Sequence, residues 1–359
     1  MRLAVRFTAV AVAALIAAPA LAQPREIALR PNAKYAHKPT RVTLPAAIGT
    51  LTRNRIAAFE AGDLDVLVSY RSPDAKEITT VYLYRNVAGD VPVWFDRAAS
   101  VIAAGPGPFG SITPVVPVSP FTPPRQSTAS GLRAAWAASG GAFASTALAL
   151  VPVGDFYLKL RLSSATLTPV QLEARLRETL AAISFPRQLA SGPAAVPVAP
   201  CGSALTFTGA ARPAPKDGAA ALLGALMPSI ADRLAKSGKT QHRARYCRDP
   251  RAVEEGAIYR PDGDTERYLL AIQDAGRALQ VGKNDLTSLL GSSAGTQPTP
   301  RYSVELVLLS ENRAYGDFLT LPSPEQAMAL MESGRPVSIT STMGKKNRIS
   351  LNPDSLSDR

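Results

Sequence analysis

Residues 154–183 read GDFYLKLRLSSATLTPVQLEARLRETLAAI, and two different periods follow one another in this stretch. From Phe156 to Leu162 the pattern alternates, with Phe156, Leu158, Leu160 and Leu162 on one side and Tyr157, Lys159 and Arg161 on the other. A period of two marks a strand, and a polar second side predicts one buried and one wet sheet face. After Thr168 the period lengthens. Thr168, Pro169 and Gln171 offer an N-cap, a proline at the first helical position and a capping-box glutamine, and Leu172, Leu176, Leu180 and Ile183 then share one helical face. A half-apolar strand followed by a helix with one apolar stripe predicts an antiparallel sheet covered by a helix, an α+β layer.

Upstream, short alternating segments at Leu64–Arg71, Ile78–Arg85, Thr113–Val118, Gly131–Ala137 and Ala144–Val151 predict more strands of the same sheet. A helix or loop is expected around Trp94 and Phe95. Downstream, Pro186–Pro200 (PRQLASGPAAVPVAP) has no apolar period and the composition of a linker. Beyond it, strands are expected at Leu205–Phe207, His242–Cys247, Ala257–Arg260, Arg267–Gln273, Arg277–Val281, Tyr302–Ser310, Tyr315–Leu321, Val337–Thr342 and Arg348–Leu351. Helices are expected at Ala219–Ala235, interrupted by Pro228, and at Pro324–Glu332.

A chain of 359 residues exceeds what one hydrophobic core usually serves. The expectation is therefore an α+β protein of two domains, each a mainly antiparallel sheet covered by one or two helices. They comprise residues 41–185 and 201–359, joined by a linker over 186–200 and preceded by an extended basic segment over 23–40. The halves echo each other weakly. Gly154-Asp155-Phe156 and Gly316-Asp317-Phe318 each precede a helix start of the form [ST]-P-x-Q, the second at Ser323–Gln326.

Residues 1–22 have the three parts of an export signal: the basic Arg2 and Arg6, an apolar run from Phe7 to Ala18, and Ala20-Leu21-Ala22 before the expected cleavage. The apolar run falls short of the ~20 residues a membrane-crossing helix needs. The expected location is the periplasm of a bacterium, or secretion, with no transmembrane segment left after cleavage. Cys201 and Cys247 are the only cysteines, so an oxidising compartment predicts a bridge between them. His37 and His242 join no cluster with ligand spacing, and no metal or other cofactor is expected. Net charge is +12, with an early excess at Arg25, Arg30, Lys34, Lys38 and Arg41. Such spread charges suit weak contact with an anionic envelope component; nucleic acid is not expected, because no aromatic residues interleave with the basic ones.

Four strings imitate catalytic or ligand loops and fail on context. Gly105–Gly110 fits G-x-G-x-x-G, but Pro106 and Pro108 lack the N–H groups a pyrophosphate needs. Gly291–Gly295 fits G-x-S-x-G around Ser293, yet both histidines precede it and Pro298 follows. Ser237–Thr240 resembles the end of a phosphate loop, but Arg233 stands where its first glycine belongs. Asp262, Asp264 and Glu266 lack the further ligands of a calcium loop.

The remaining candidate is the expected wet face, where Tyr157, Lys159 and Arg161 are expected to meet Arg71, Ser69 and Tyr82 or Tyr84 to hold an anionic or sugar-like ligand, or a protein. The function expected from sequence is an exported, non-enzymatic envelope protein that binds or scaffolds. The alternative is a periplasmic hydrolase whose site is assembled from distant residues, and two observations separate them: a deep pocket holding Ser293 or a carboxylate pair favours the enzyme, a shallow basic and aromatic face the binder.

Overall fold

The computed structural model describes residues 24–104, 109–216, 244–254, 256–284, 300–344 and 348–353. The expected signal over 1–22, the helix expected at Ala219–Ala235, Ser237–Thr240, His242 and Ser293 lie outside these residues.

The first sheet begins with β1 (Arg25–Glu26), beside which β2 (Tyr35–Ala36) and β3 (Thr43–Leu44) form a separate two-stranded ribbon. It continues through β4 (Ala47–Ile48), β5 (Leu51–Ala58), β6 (Asp65–Arg71), β7 (Glu77–Arg85), β8 (Gly110–Phe121), β9 (Gly131–Gly140), β10 (Ser145–Val153) and β11 (Phe156–Ser164). Their order is β1-β5-β6-β7-β11-β10-β9-β8, with β4 paired to β5, and every pairing is antiparallel. Two helices flank this sheet, α1 (Val91–Ala103) and α2 (Pro169–Ala182), and α2 opens with the expected capping box of Thr168 and Gln171.

A second sheet runs β12 (Ala199–Pro200), β13 (Tyr246–Arg248), β14 (Gly256–Pro261), β15 (Arg267–Ile272), β16 (Arg277–Lys283), β17 (Tyr302–Val307), β18 (Glu311–Ala314), β19 (Ser338–Ser341) and β20 (Ile349–Leu351). The strands lie in chain order and form an antiparallel meander, apart from the parallel pair β12 and β13. Helix α3 (Pro324–Glu332) starts with a second capping box, Ser323 with Gln326, so the two echoed sequences build the same cap. No strand forms at Leu205–Phe207. None spans Tyr315–Leu321 either, where only Phe318 makes bridges, to Tyr302 and Pro213; the edge beside β17 is taken by Glu311–Ala314.

The three larger hydrophobic cores stack between these elements. Leu158, Leu160 and Leu162 of β11 meet Leu172, Leu176, Leu180 and Ile183 on one face of the first sheet. Ile258, Leu270 and Leu279 meet Ala327 of α3 on one face of the second. Between the two sheets lies a shared core, where Trp94, Phe95, Ala98 and Ile102 of α1 pack with Leu148 and Tyr157 of the first sheet and with Tyr259, Leu269 and Val307 of the second. The layers thus run α2, first sheet, α1, second sheet, α3. The proline-rich stretch expected as a linker carries β12 at its end and adds Ala195 to the shared core, so one continuous core joins the sheets.

That core corrects the expected wet face, because the side of β11 carrying Tyr157 and Lys159 is covered by the second half of the chain, and both residues are 2 % exposed. Residues 24–40 are likewise tied down. Arg25 and Glu26 pair with β5, Tyr35 is buried, and His37 is held by Thr40 Oγ1 and the Asp63 carbonyl, each at 2.8 Å.

Candidate functional site

The register places the sequence candidates on the first sheet as follows. Lys159 stands opposite Tyr82, Tyr157 opposite Tyr84, and Arg161 opposite Thr80, whose other neighbour is Ser69. Directly paired residues point to the same side, so these groups share one face. Arg71, opposite Ile78 on β6, is on the same face but at its exposed margin. Three of the four candidates are therefore adjacent and the fourth is peripheral.

Lys159 is engaged on every side. Its Nζ lies 4.5 Å from the Tyr82 ring centre and 5.5 Å from that of Tyr84, and it donates to Asp274 Oδ2 at 2.7 Å and to the Asp274 carbonyl at 2.8 Å. Asp274 comes from the turn between β15 and β16. Gly276 lets this turn approach, since its φ is +85° and a Cβ there would sit 3.0 Å from the Arg85 carbonyl oxygen and 3.2 Å from Tyr84 Cδ2. Around the same turn, Arg277 pairs with Asp65 at 3.2 Å and Glu60 at 3.6 Å, and Arg97 Nε donates to the Gln273 carbonyl at 2.8 Å. Arg161 places its guanidinium 4.5 Å from the Phe109 ring centre. Buried Tyr84 has its hydroxyl raised far above its ordinary pKa by desolvation, and burial likewise raises the Asp65 carboxyl against the pull of Arg277.

Burial also opposes ionisation of Asp274, but Lys159, with Arg161 and Arg97 behind it, outweighs that and holds the carboxyl below its ordinary value. A depressed folded pKa means that the pair's stabilisation is present above the ordinary carboxylate range and is lost as pH falls through the depressed value. Lys159→Met should cost about 2 kcal/mol near neutral pH, less than a fully buried pair would, because the Asp274 side chain keeps 31 % exposure. Denaturant titrations across pH should show the acid-side loss shrinking in the variant; an unchanged acid limb would mean the pair contributes nothing.

A different place is open to ligands. The last turns of α1 and the chain around β13 and β14 enclose a cleft of about 410 Å³, lined by Arg97, Ser100, Arg248, Arg251 and Glu254 together with small apolar residues. Arg248 Nη1 donates to Ser100 Oγ at 2.5 Å and to Asp96 Oδ2 at 3.1 Å, and that same carboxylate oxygen accepts from the Tyr259 hydroxyl at 2.7 Å. Arg251 reaches Glu325 at 3.1 Å and lies 5.1 Å from the Phe207 ring centre. Only one nitrogen of each guanidinium is used in these bonds, Nε of Arg97, Nη1 of Arg248 and Nη2 of Arg251; among the described residues no hydrogen bond reaches the Nη atoms of Arg97 or Nε and Nη2 of Arg248. The guanidinium fork matches carboxylate and phosphate oxygens, so the lining suits an anion.

The backbone carrying these arginines is anchored from behind. Buried Asp249 accepts from the Leu205 and Arg251 N–H groups at 2.9 and 3.0 Å and pairs with buried Arg260 at 3.3 Å. Arg260 Nε also approaches Cys201 Sγ at 3.2 Å, and the Cys201–Cys247 disulfide ties β12 to the residue before Arg248. Ser100 Oγ donates to the Asp96 carbonyl and accepts from Arg248, so it positions the arginine. Among the described residues no three His, Cys, Asp or Glu side chains gather as metal ligands, and no helix is long and apolar enough to cross a membrane.

Sequence reasoning missed this cleft because Arg97 and Ser100 precede Arg248 by about 150 residues, and no local period connects them. Arg97 and Ser100 at i, i+3 on a helix whose other side is apolar are the one trace it leaves. Comparison with known proteins finds no matching family model, no curated relative and no solved structure.

Proposed function

We propose that this is an exported, non-enzymatic envelope protein that binds a small anionic ligand in the arginine-lined cleft between α1 and the second sheet. The observation that carries the reading is the convergence of Arg97, Arg248 and Arg251 on one opening with guanidinium N–H groups to spare. The disulfide supports an oxidising compartment such as the periplasm. In this reading each sheet with its helices is a domain, 186–200 is the connection, and the cleft is where the two domains meet. The ligand comes from the envelope, either free or as part of a larger anionic component or partner protein.

Inorganic phosphate, as a minimal anion, is the first probe. The melting temperature should rise with phosphate concentration, in the manner of a ligand that binds only the folded state. Arg97→Gln should weaken that response about tenfold, the loss of one charge-assisted hydrogen bond. A melting temperature indifferent to phosphate, or an Arg97→Gln protein that responds like the parent, would overturn the proposal.

A further inference from the structure

We propose that the natural ligand of the cleft is a small zwitterion, a molecule carrying both a carboxylate and an ammonium group, such as an amino acid or short peptide with a small aliphatic side chain; this rests on the anion-binding reading above. The evidence is the position of Glu254. This carboxylate lines the same cleft as the three arginines, yet pairs with none of them. Arg248 turns to Asp96, Arg251 turns to Glu325, and among the described residues Glu254 forms neither an ion pair nor a hydrogen bond. An exposed carboxylate is attracted to neighbouring guanidiniums, yet among the described residues no arginine of the lining comes within ion-pairing distance of Glu254. The cleft therefore presents separate positive and negative poles.

The same lining includes small apolar residues, Ala103, Ala104, Ala252, Val253 and Ala257. Short side chains leave room, and an apolar wall favours a methyl or small branched group over a polar one. A ligand with its carboxylate on Arg97 and Arg248, its ammonium at Glu254 and an aliphatic group against the alanines uses both charges and the apolar part of this lining. A simple phosphate or carboxylate would use only one pole.

Calorimetric titration of the intact, oxidised protein with alanyl-alanine, L-alanine and N-acetyl-alanyl-alanine tests this directly. The free dipeptide should bind about fivefold tighter than its N-acetylated form, the worth of one exposed ion pair. Glu254→Gln, a change at an exposed residue, should bring the two to the same affinity, and Arg97→Gln should weaken both. A better fit for L-alanine than for the dipeptide supports the proposal with a free amino acid as ligand; the reverse supports it with a peptide. Equal binding of free and acetylated dipeptide by the parent protein, or an undiminished preference in Glu254→Gln, overturns the zwitterion while leaving the anion site standing. If neither peptide nor phosphate binds, the anion-binding reading itself has failed.

Discussion

Replacing Trp94 with alanine is expected to destabilise the protein by about 4 kcal/mol, the loss for a large aromatic side chain deleted from a packed interior. Trp94 is fully buried, and its indole Nε1 donates to the Ala88 carbonyl at 2.6 Å, so the change leaves both a cavity and an unused acceptor. The loss should fall on the whole molecule. Trp94 sits in the core to which Leu148 and Tyr157 contribute from the first sheet and Tyr259, Leu269 and Val307 from the second. Neither sheet keeps that face dry without the other, and α1 contacts strands of both. Scanning calorimetry should therefore show one transition in the parent and one, at lower temperature, in Trp94→Ala. Two resolved transitions, only one of them shifted, would mean the halves fold separately and the shared core is weak.

Removing the disulfide should have an effect of similar size. Cys201 and Cys247 are 46 residues apart, and restricting a loop of that length in the unfolded chain is worth about 4 kcal/mol by the chain-entropy estimate. Little else holds β12, a two-residue strand that pairs only with β13. The double variant Cys201→Ser/Cys247→Ser, compared with the parent in denaturant with and without reductant, gives the measurement. Reduction of the parent should reproduce the loss seen in the variant. Equal stability of all forms would show that the bridge contributes nothing to the folded state's stability.

Local patterns were enough to find most of the framework. The alternation at Phe156–Leu162, the cap at Thr168 and the helix at Pro324–Glu332 all occur where residue spacing places them, because each is decided by neighbours within a dozen residues. The same alternation misled about exposure. Lys159 and Arg161 read as a solvated side, since a lysine is seldom buried without a partner. The partner exists, but Asp274 lies 115 residues further on, and nothing in the spacing of either stretch joins them. Tyr315–Leu321 failed for a related reason: its apolar residues pack beneath α3's sheet as irregular chain, with Tyr315 and Phe318 buried in the same core as Ala327. The cleft left only the Arg97 and Ser100 spacing in the sequence, being made where one half's helix meets the other half's strand.

The placement of α1 between the sheets also sets an order on the birth of the molecule. A chain that has grown only as far as the proline-rich stretch already possesses all strands of the first sheet, along with α1 and α2, and can complete the core under α2. The opposite surface has nothing to rest against, because Tyr259, Leu269, Ala278 and Val307 have yet to be made. Until they arrive, Trp94, Phe95 and Leu148 stand at the boundary with water, and the Lys159 ammonium faces solvent without its carboxylate. Until residues 201–359 are added, the unfinished protein thus carries a sticky and partly charged flank.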